Sequence, residues 1–128
     1  FRRGWGAGGS IEVGTNSCTY NESSDYRLKE NIVAISDGIA RLKTLKPSRF
    51  NWIGDTNSTR DGFLAHEVTA VPEAISGTKD EVYSEDEDGK NIKAGDPKYQ
   101  GIDQSRLVPL LVAALQEAVA RIEALEGS

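Results

Sequence analysis

The sequence predicts a small α+β domain of short strands and hairpins with one long C-terminal helix that forms a homotrimeric, coiled-coil-like bundle. Three observations carry this. From Val108, apolar residues recur at alternating spacings of three and four: Val108, Leu111, Leu115, Ala118, Ile122 and Leu125. That is an a/d repeat. Upstream, apolar stretches are short and separated by Gly-, Asp- and Asn-rich turns, as in hairpins. The apolar fraction, 38% without glycine, lies below the roughly 45–50% usual for globular domains, a figure that counts glycine, and the domain is expected to complete its core by association.

The elements follow in order. Residues 1–23 are broken by Gly4, Gly6, Gly8, Gly9 and Gly14, which excludes a helix, and Ile11-Glu12-Val13 alternates briefly. This segment is either a disordered leader or a strand region that pairs with neighbouring chains, with Asn21-Glu22-Ser23 as a polar joint. Ile32 to Ile35 is a short apolar run. Ser36-Asp37 opens a helix marked by Ile39, Leu42 and Leu45 and ended by Pro47. Phe50 to Ile53 reads as a strand, and the turn-rich residues after it suggest a hairpin into Phe63-Leu64-Ala65. Ala65 to Ala74 reads as short helix broken at Pro72.

Asp80 to Asp88 holds six acids before Asp88-Gly89, a hairpin turn signal. It is either a solvated face or a protruding β-arm. In the last element, Pro109 lacks an N–H and belongs in the first turn, with a start near Ser105 or Arg106. Gly127 supplies a stop. Leu107, Leu110, Val112, Ala114 and Val119 widen the apolar face beyond a two-stranded seam. Such width suits more than two helices, or a seam that also docks on its own domain, against the reading of an ordinary amphipathic core helix. No second long helix is available to cover it, which favours self-association.

Composition excludes several classes. A formal charge of −5 argues against a sequence-independent nucleic-acid surface. The single Cys18 makes no intrachain disulfide, and with the single His66 supplies no multi-Cys or multi-His metal site. No apolar run has membrane-spanning length. A soluble protein from a reducing compartment is expected, and the absence of an initial Met leads to the expectation of a piece of something longer.

The chemistry-bearing stretch is Ser24-Asp25-Tyr26-Arg27-Leu28-Lys29-Glu30-Asn31-Ile32. A serine hydroxyl is a weak nucleophile until a base takes its proton, and a lysine can be that base when burial or a cationic neighbour lowers its pKa. Ser-Lys pairs are a known form of this arrangement. Ser24-Asp25 is equally a helix N-cap pair, and Lys29 equally a solvated charge. At about 100° per residue, positions five apart face different sides of a helix, and in a strand they face opposite sides. A Ser24–Lys29 pair therefore requires a turn between them, or a partner from another chain.

The motif Ser-Asp-x-Arg-Leu-Lys-x-Asn-Ile resembles the opening of the intramolecular chaperone auto-processing domains, peptidase family S74. These lie at the C-terminus of phage tail fibres, tailspikes, endosialidases and neck appendages. Phe50-Asn51-Trp52, the run Gly62 to Val68 with Pro72, and Ser105-Arg106-Leu107-Val108-Pro109-Leu110-Leu111 follow in the family's order. The resemblance extends over about 24 to 126; His66 stands where the family usually has Gln. A lone His is structural or, alternatively, orients the dyad.

The resemblance implies residues 1–23 as the end of a fibre stalk and 24–128 as a homotrimeric chaperone domain. It implies self-cleavage between Ser23 and Ser24, with Ser24 as nucleophile and Lys29 as general base. Asp25 and Arg27 would position the dyad or polarise the carbonyl. It implies no cofactor and no metal. The partners are two further copies of the chain and the upstream β-rich stalk, with no nucleic acid and no membrane. Synthesis is expected in the host cytoplasm, with the fibre in the virion and the chaperone released. In this family the acidic arm reaches back along the stalk. The alternative is a trimerisation and attachment module that never cuts.

Overall fold

The computed structural model describes residues 9–15 and 18–127, and the chain divides into units 1–34 and 35–128. In the first unit, β1 (Gly9–Val13) pairs antiparallel with β2 (Cys18–Glu22), from Gly9 opposite Glu22 to Val13 opposite Cys18. β2 thus takes in Asn21 and Glu22, which the sequence reading assigned to a joint. A single 3-10 turn follows, Tyr26–Leu28. Ile32 and Val33 then lie in an irregular, exposed stretch (72% and 84%).

In the second unit, α1 (Gly38–Leu42) is only five residues long, too short to hold itself together by intrahelical bonds. Its support comes from α2 (Val108–Glu126). The carboxylate of Glu117 on α2 accepts the otherwise orphaned Ile39 N–H at 3.1 Å, as an N-cap side chain would. Asp37, the residue at the cap position, makes no such bond and instead sits 3.5 Å from Arg41. Arg41 in turn donates twice, at 3.1 and 2.6 Å, to the carbonyl of Ala70.

β3 (Ser48–Phe50) and β4 (Arg60–Gly62) form a short antiparallel hairpin, with Phe50 opposite Arg60. The strand expected over Phe50–Ile53 thus begins earlier and stops at Phe50. Asn51 to Thr59 form the loop, in which Trp52 meets the Phe50 ring edge-to-face at 5.3 Å. Pairing ends at Gly62, before the expected Phe63–Ala65. The expected helix over Ala65–Ala74 resolves into two 3-10 turns, Ala65–Glu67 and Pro72–Ala74. β5 (Ile75–Ser76) pairs antiparallel with β6 (Gly101–Ile102).

Between β5 and β6 lies the acidic segment, in which no residue from 77 to 100 is buried. It forms an irregular hairpin with bridges at Val82–Pro97 and Glu87–Ile92, turning at Gly89 with φ +77. Lysines meet its acids: Lys90 beside Glu87, Lys93 beside Asp86 and Lys98 beside Glu81. The expected arm is therefore an exposed hairpin without a core of its own.

The C-terminal helix begins later than expected. A 3-10 turn, Gln104–Leu107, is capped by Asp103, whose carboxylate accepts from Ser105 N–H, and passes directly into α2. Pro109 falls in the first turn of α2, where its missing N–H costs nothing.

The core is small. Val68, Val71 and Ala74 meet Leu107 and Leu110, with Leu45, Phe63, Ile75 and Ile102 packed around them. Leu107, Leu110 and Ala114 lie on one side of the helical path at i, i+3 and i+7, and all three are buried. The a/d positions lie on another side. Val108, Leu111, Leu115, Ile122 and Leu125 are exposed, Leu115 by 65% and Leu125 by 75%, while Ala118 is half-buried. One helix thus carries two apolar faces, and only one is covered by its own domain. Val112 and Val119 lie on neither buried position and are also exposed.

α1 and α2 approach most closely at Gly38. A Cβ there would lie 2.8 Å from the backbone nitrogen of Ala114, and backbone cannot swing aside as a side chain does. Gly38→Ala is expected to push α1 off α2 and destabilise the second unit by about 1–3 kcal/mol. Urea unfolding of the variant against the parent chain checks this.

Candidate functional site

Ser24 and Lys29 are brought together by the 3-10 turn between them. The turn begins at Asp25, in extended backbone (φ −69, ψ 129), and ends at Lys29, again extended (φ −120, ψ 145). Leu28 N–H donates to the Asp25 carbonyl and Lys29 N–H to the Tyr26 carbonyl, both at 3.1 Å. The turn reverses the chain enough that Lys29 Nζ reaches Ser24 Oγ at 2.8 Å. Of the two routes open to a pair five residues apart, a turn or a second chain, the structure contains the turn. Both side chains are exposed in the single chain.

Asp25 and Arg27 make a second pair inside the same turn. Asp25 Oδ1 accepts the Arg27 backbone N–H at 2.9 Å and Arg27 Nε at 3.0 Å, while Oδ2 accepts Nη2 at 2.7 Å. The N-cap is therefore Asp25 and not Ser24, whose hydroxyl is left to Lys29. The Arg27 guanidinium, and then its backbone N–H, hold the Asp25 carboxyl below the usual carboxylate range, and Asp25 raises the Arg27 pKa in return. Asn31 follows in the left-handed region at φ 54, a conformation that asparagine tolerates better than most residues.

The other sequence candidates lie as follows. His66 is exposed on the Ala65–Glu67 turn in the second unit. The six seam residues of α2 lie along that helix as described. Ser23, at the expected scissile bond, is exposed immediately after β2. Among the described residues no group of His, Cys, Asp and Glu is arranged to hold a metal ion, and no helix is long and apolar enough to cross a membrane.

A strand hairpin followed by a braced Ser-Lys turn, ahead of a small α+β domain, is the setting in which comparison with known families becomes informative. The family Peptidase S74, described as the chaperone of endosialidase, matches residues 24–76. Through that segment the chain is similar to this family, whose description is that of a peptidase-related chaperone. The match opens on Ser24 and closes on Ser76, so it contains the whole braced turn. The acidic hairpin and α2 lie beyond it. No curated protein matches the chain.

Because Asp25 keeps its charge through its contacts with Arg27, those contacts are present at neutral pH and are lost as pH falls through the depressed Asp25 pKa. Carboxyl-carbon NMR of Asp25 is expected to show a midpoint below that of an isolated aspartate. In Arg27→Ala the midpoint should move back up.

Proposed function

We propose that three copies of this chain assemble through the uncovered face of α2, and that each then cuts its own backbone between Ser23 and Ser24. The observation that carries the chemistry is the 2.8 Å contact between Lys29 Nζ and Ser24 Oγ, within the distance a base needs to take a proton. The neutral Lys29 amine takes the Ser24 hydroxyl proton as Oγ attacks the carbonyl carbon of Ser23. The C–N bond of that peptide breaks, the proton passes to the departing Ser24 amine, and Ser23 is left as an ester on Oγ. Water then hydrolyses the ester, giving a Ser23 carboxylate and restoring the Ser24 hydroxyl. Each chain turns over once, and no cofactor enters.

Assembly supplies what the single chain lacks. Lysine acts as a base when desolvation or a neighbouring cation disfavours its charged form, and both dyad side chains are exposed in the single chain. The motif also carries Tyr26, Leu28 and Ile32, followed by Val33, all exposed, at 76%, 54%, 72% and 84%. Large apolar side chains gathered this densely point to a surface that becomes covered. On this account the turn sets the geometry and burial in the trimer sets the reactivity, so cleavage waits for folding. The domain then serves as an intramolecular chaperone for a fibre or spike stalk upstream, with the exposed acidic hairpin reaching along that stalk, and is released once the stalk is assembled in the host cytoplasm.

A second reading keeps the trimer and discards the cut. It rests on the uncovered α2 seam together with the solvent exposure of the dyad, and makes the domain a non-cleaving attachment module of a viral fibre.

Mass spectrometry and light scattering separate the two. The wild-type chain is expected at three times its 13.9 kDa mass and to yield a fragment beginning at Ser24. Ser24→Ala, Lys29→Ala and Lys29→Arg should each stay full length, the last because a guanidinium effectively never gives up its proton. Leu115→Asp places a charge on the seam and should give an uncut monomer. Full cleavage in Ser24→Ala, or a cut at another bond, would remove Ser24 as the nucleophile.

A further inference from the structure

The Asp25 carboxylate is the one side chain of the motif that touches both the backbone and a side chain of the turn. Its Oδ1 accepts the Arg27 N–H, and its two oxygens together accept Arg27 Nε and Nη2. The first bond satisfies an N–H that has no partner within so short a turn. The other two form the fork-to-fork arrangement that gives an arginine–carboxylate pair its directional strength. Arg27 is thereby tied to the residue two positions before it, at the middle of the turn whose far end is Lys29.

From this geometry we infer that Asp25 is the positioning residue of the Ser24–Lys29 pair, acting through the backbone and guanidinium of Arg27. It is neither a base nor a donor to the scissile carbonyl. A carboxylate accepts hydrogen bonds and gives none, and both Asp25 oxygens are already turned to Arg27. The guanidinium that Asp25 holds brings two of its N–H groups to that carboxylate, so the principal work of Arg27 is to close the turn. The backbone bonds from Leu28 and Lys29 close a single 3-10 turn, which is short and of poor hydrogen-bond geometry by itself. Without Asp25, the turn samples open forms in which Lys29 leaves Ser24. The inference rests on the dyad reading proposed above and gives Asp25 and Arg27 separate parts in it.

The test uses the full-length chain and measures the first-order rate of self-cleavage in assembled protein, across pH, with assembly checked by light scattering. Asp25→Ala is expected to assemble normally and cut on the order of ten- to a hundred-fold more slowly, the scale of loss when reacting groups are misplaced by about an ångström. The pH inflection of the rate should stay where the wild type has it, because the base is unchanged. Asp25→Asn should be slowed less, since its amide oxygen still accepts the Arg27 N–H. Arg27→Ala, which keeps that backbone bond and loses the fork, should resemble Asp25→Asn. Amide exchange at positions 28 and 29, followed in uncut Lys29→Ala protein, should quicken when Asp25→Ala is added.

A wild-type rate in Asp25→Ala overturns the inference. So does an inflection that shifts or vanishes in Asp25→Asn, which would make the carboxylate itself the base. If Asp25→Ala fails to assemble, the Asp25→Asn and Arg27→Ala rates decide by the same criteria. Ser24→Ala and Lys29→Ala measured alongside keep the two levels apart. Cleavage in either removes the dyad, whereas an uncut pair beside a fast Asp25→Ala removes only the positioning role.

Discussion

The burial of Leu107, Leu110 and Ala114 is the interaction on which the second unit depends. Leu107 and Leu110 close the core that Val68, Val71 and Ala74 begin, and those three sit in a segment of 3-10 turns that cannot order itself. Ala114 lies one turn further along, where α2 meets α1 at Gly38. Glu117 follows and caps α1. One helix thus organises the core, the neighbouring helix and the route of the chain between them. Six buried apolar side chains among the described residues make a small core, and association adds stability to a domain with so little burial.

That commitment of one face leaves the other uncovered. If both faces of α2 had been needed for the domain's own core, no seam would remain for another copy. On the proposed reading, the split would separate folding of the protomer from assembly of the trimer, as a folding-triggered reaction requires. The Ser24–Lys29 contact forms from local structure alone, through a turn of three residues. Local structure sets the distance but leaves the pair in solvent. A later event is then free to control reactivity by excluding water.

Much of this was legible in the sequence, and the failures have identifiable causes. The α2 repeat was readable because period and length were both strong; the acidic run was read as a solvated face or a β-arm turning at Asp88-Gly89, and its exposed hairpin fits either. Of the five residues read as widening the apolar face beside the a/d seam, Leu107, Leu110 and Ala114 are buried, while Val112 and Val119 are exposed. The strand boundaries near Phe50 and Gly62 were missed because three-residue strands leave too little alternation to read. The Ala65–Ala74 stretch was read as helix although its apolar spacing is met by two 3-10 turns, whose side chains recur at a similar interval. For the dyad, spacing alone required a turn or a second chain and did not choose between them. The deciding signal was Asp25, whose place two residues before Arg27 suits a cap on a turn; the sequence paired it with Ser24 as a cap, and the family resemblance gave it, with Arg27, a supporting part without separating the two. The capping of α1 by Glu117 had no local signature, because its partner lies 78 residues away.

The central claim is that each chain supplies both members of its own dyad and that assembly makes the pair reactive. Mixed assemblies test it most directly. Wild-type chains are co-folded with tagged Lys29→Ala chains, which keep Ser24 and lack the base, and both are followed by mass spectrometry. The account predicts that wild-type chains are cut at Ser23–Ser24 while the tagged chains beside them stay full length. Tagged chains cut at that bond in the mixture, and uncut on their own, would show that Lys29 reaches across to a neighbour's serine and would contradict it.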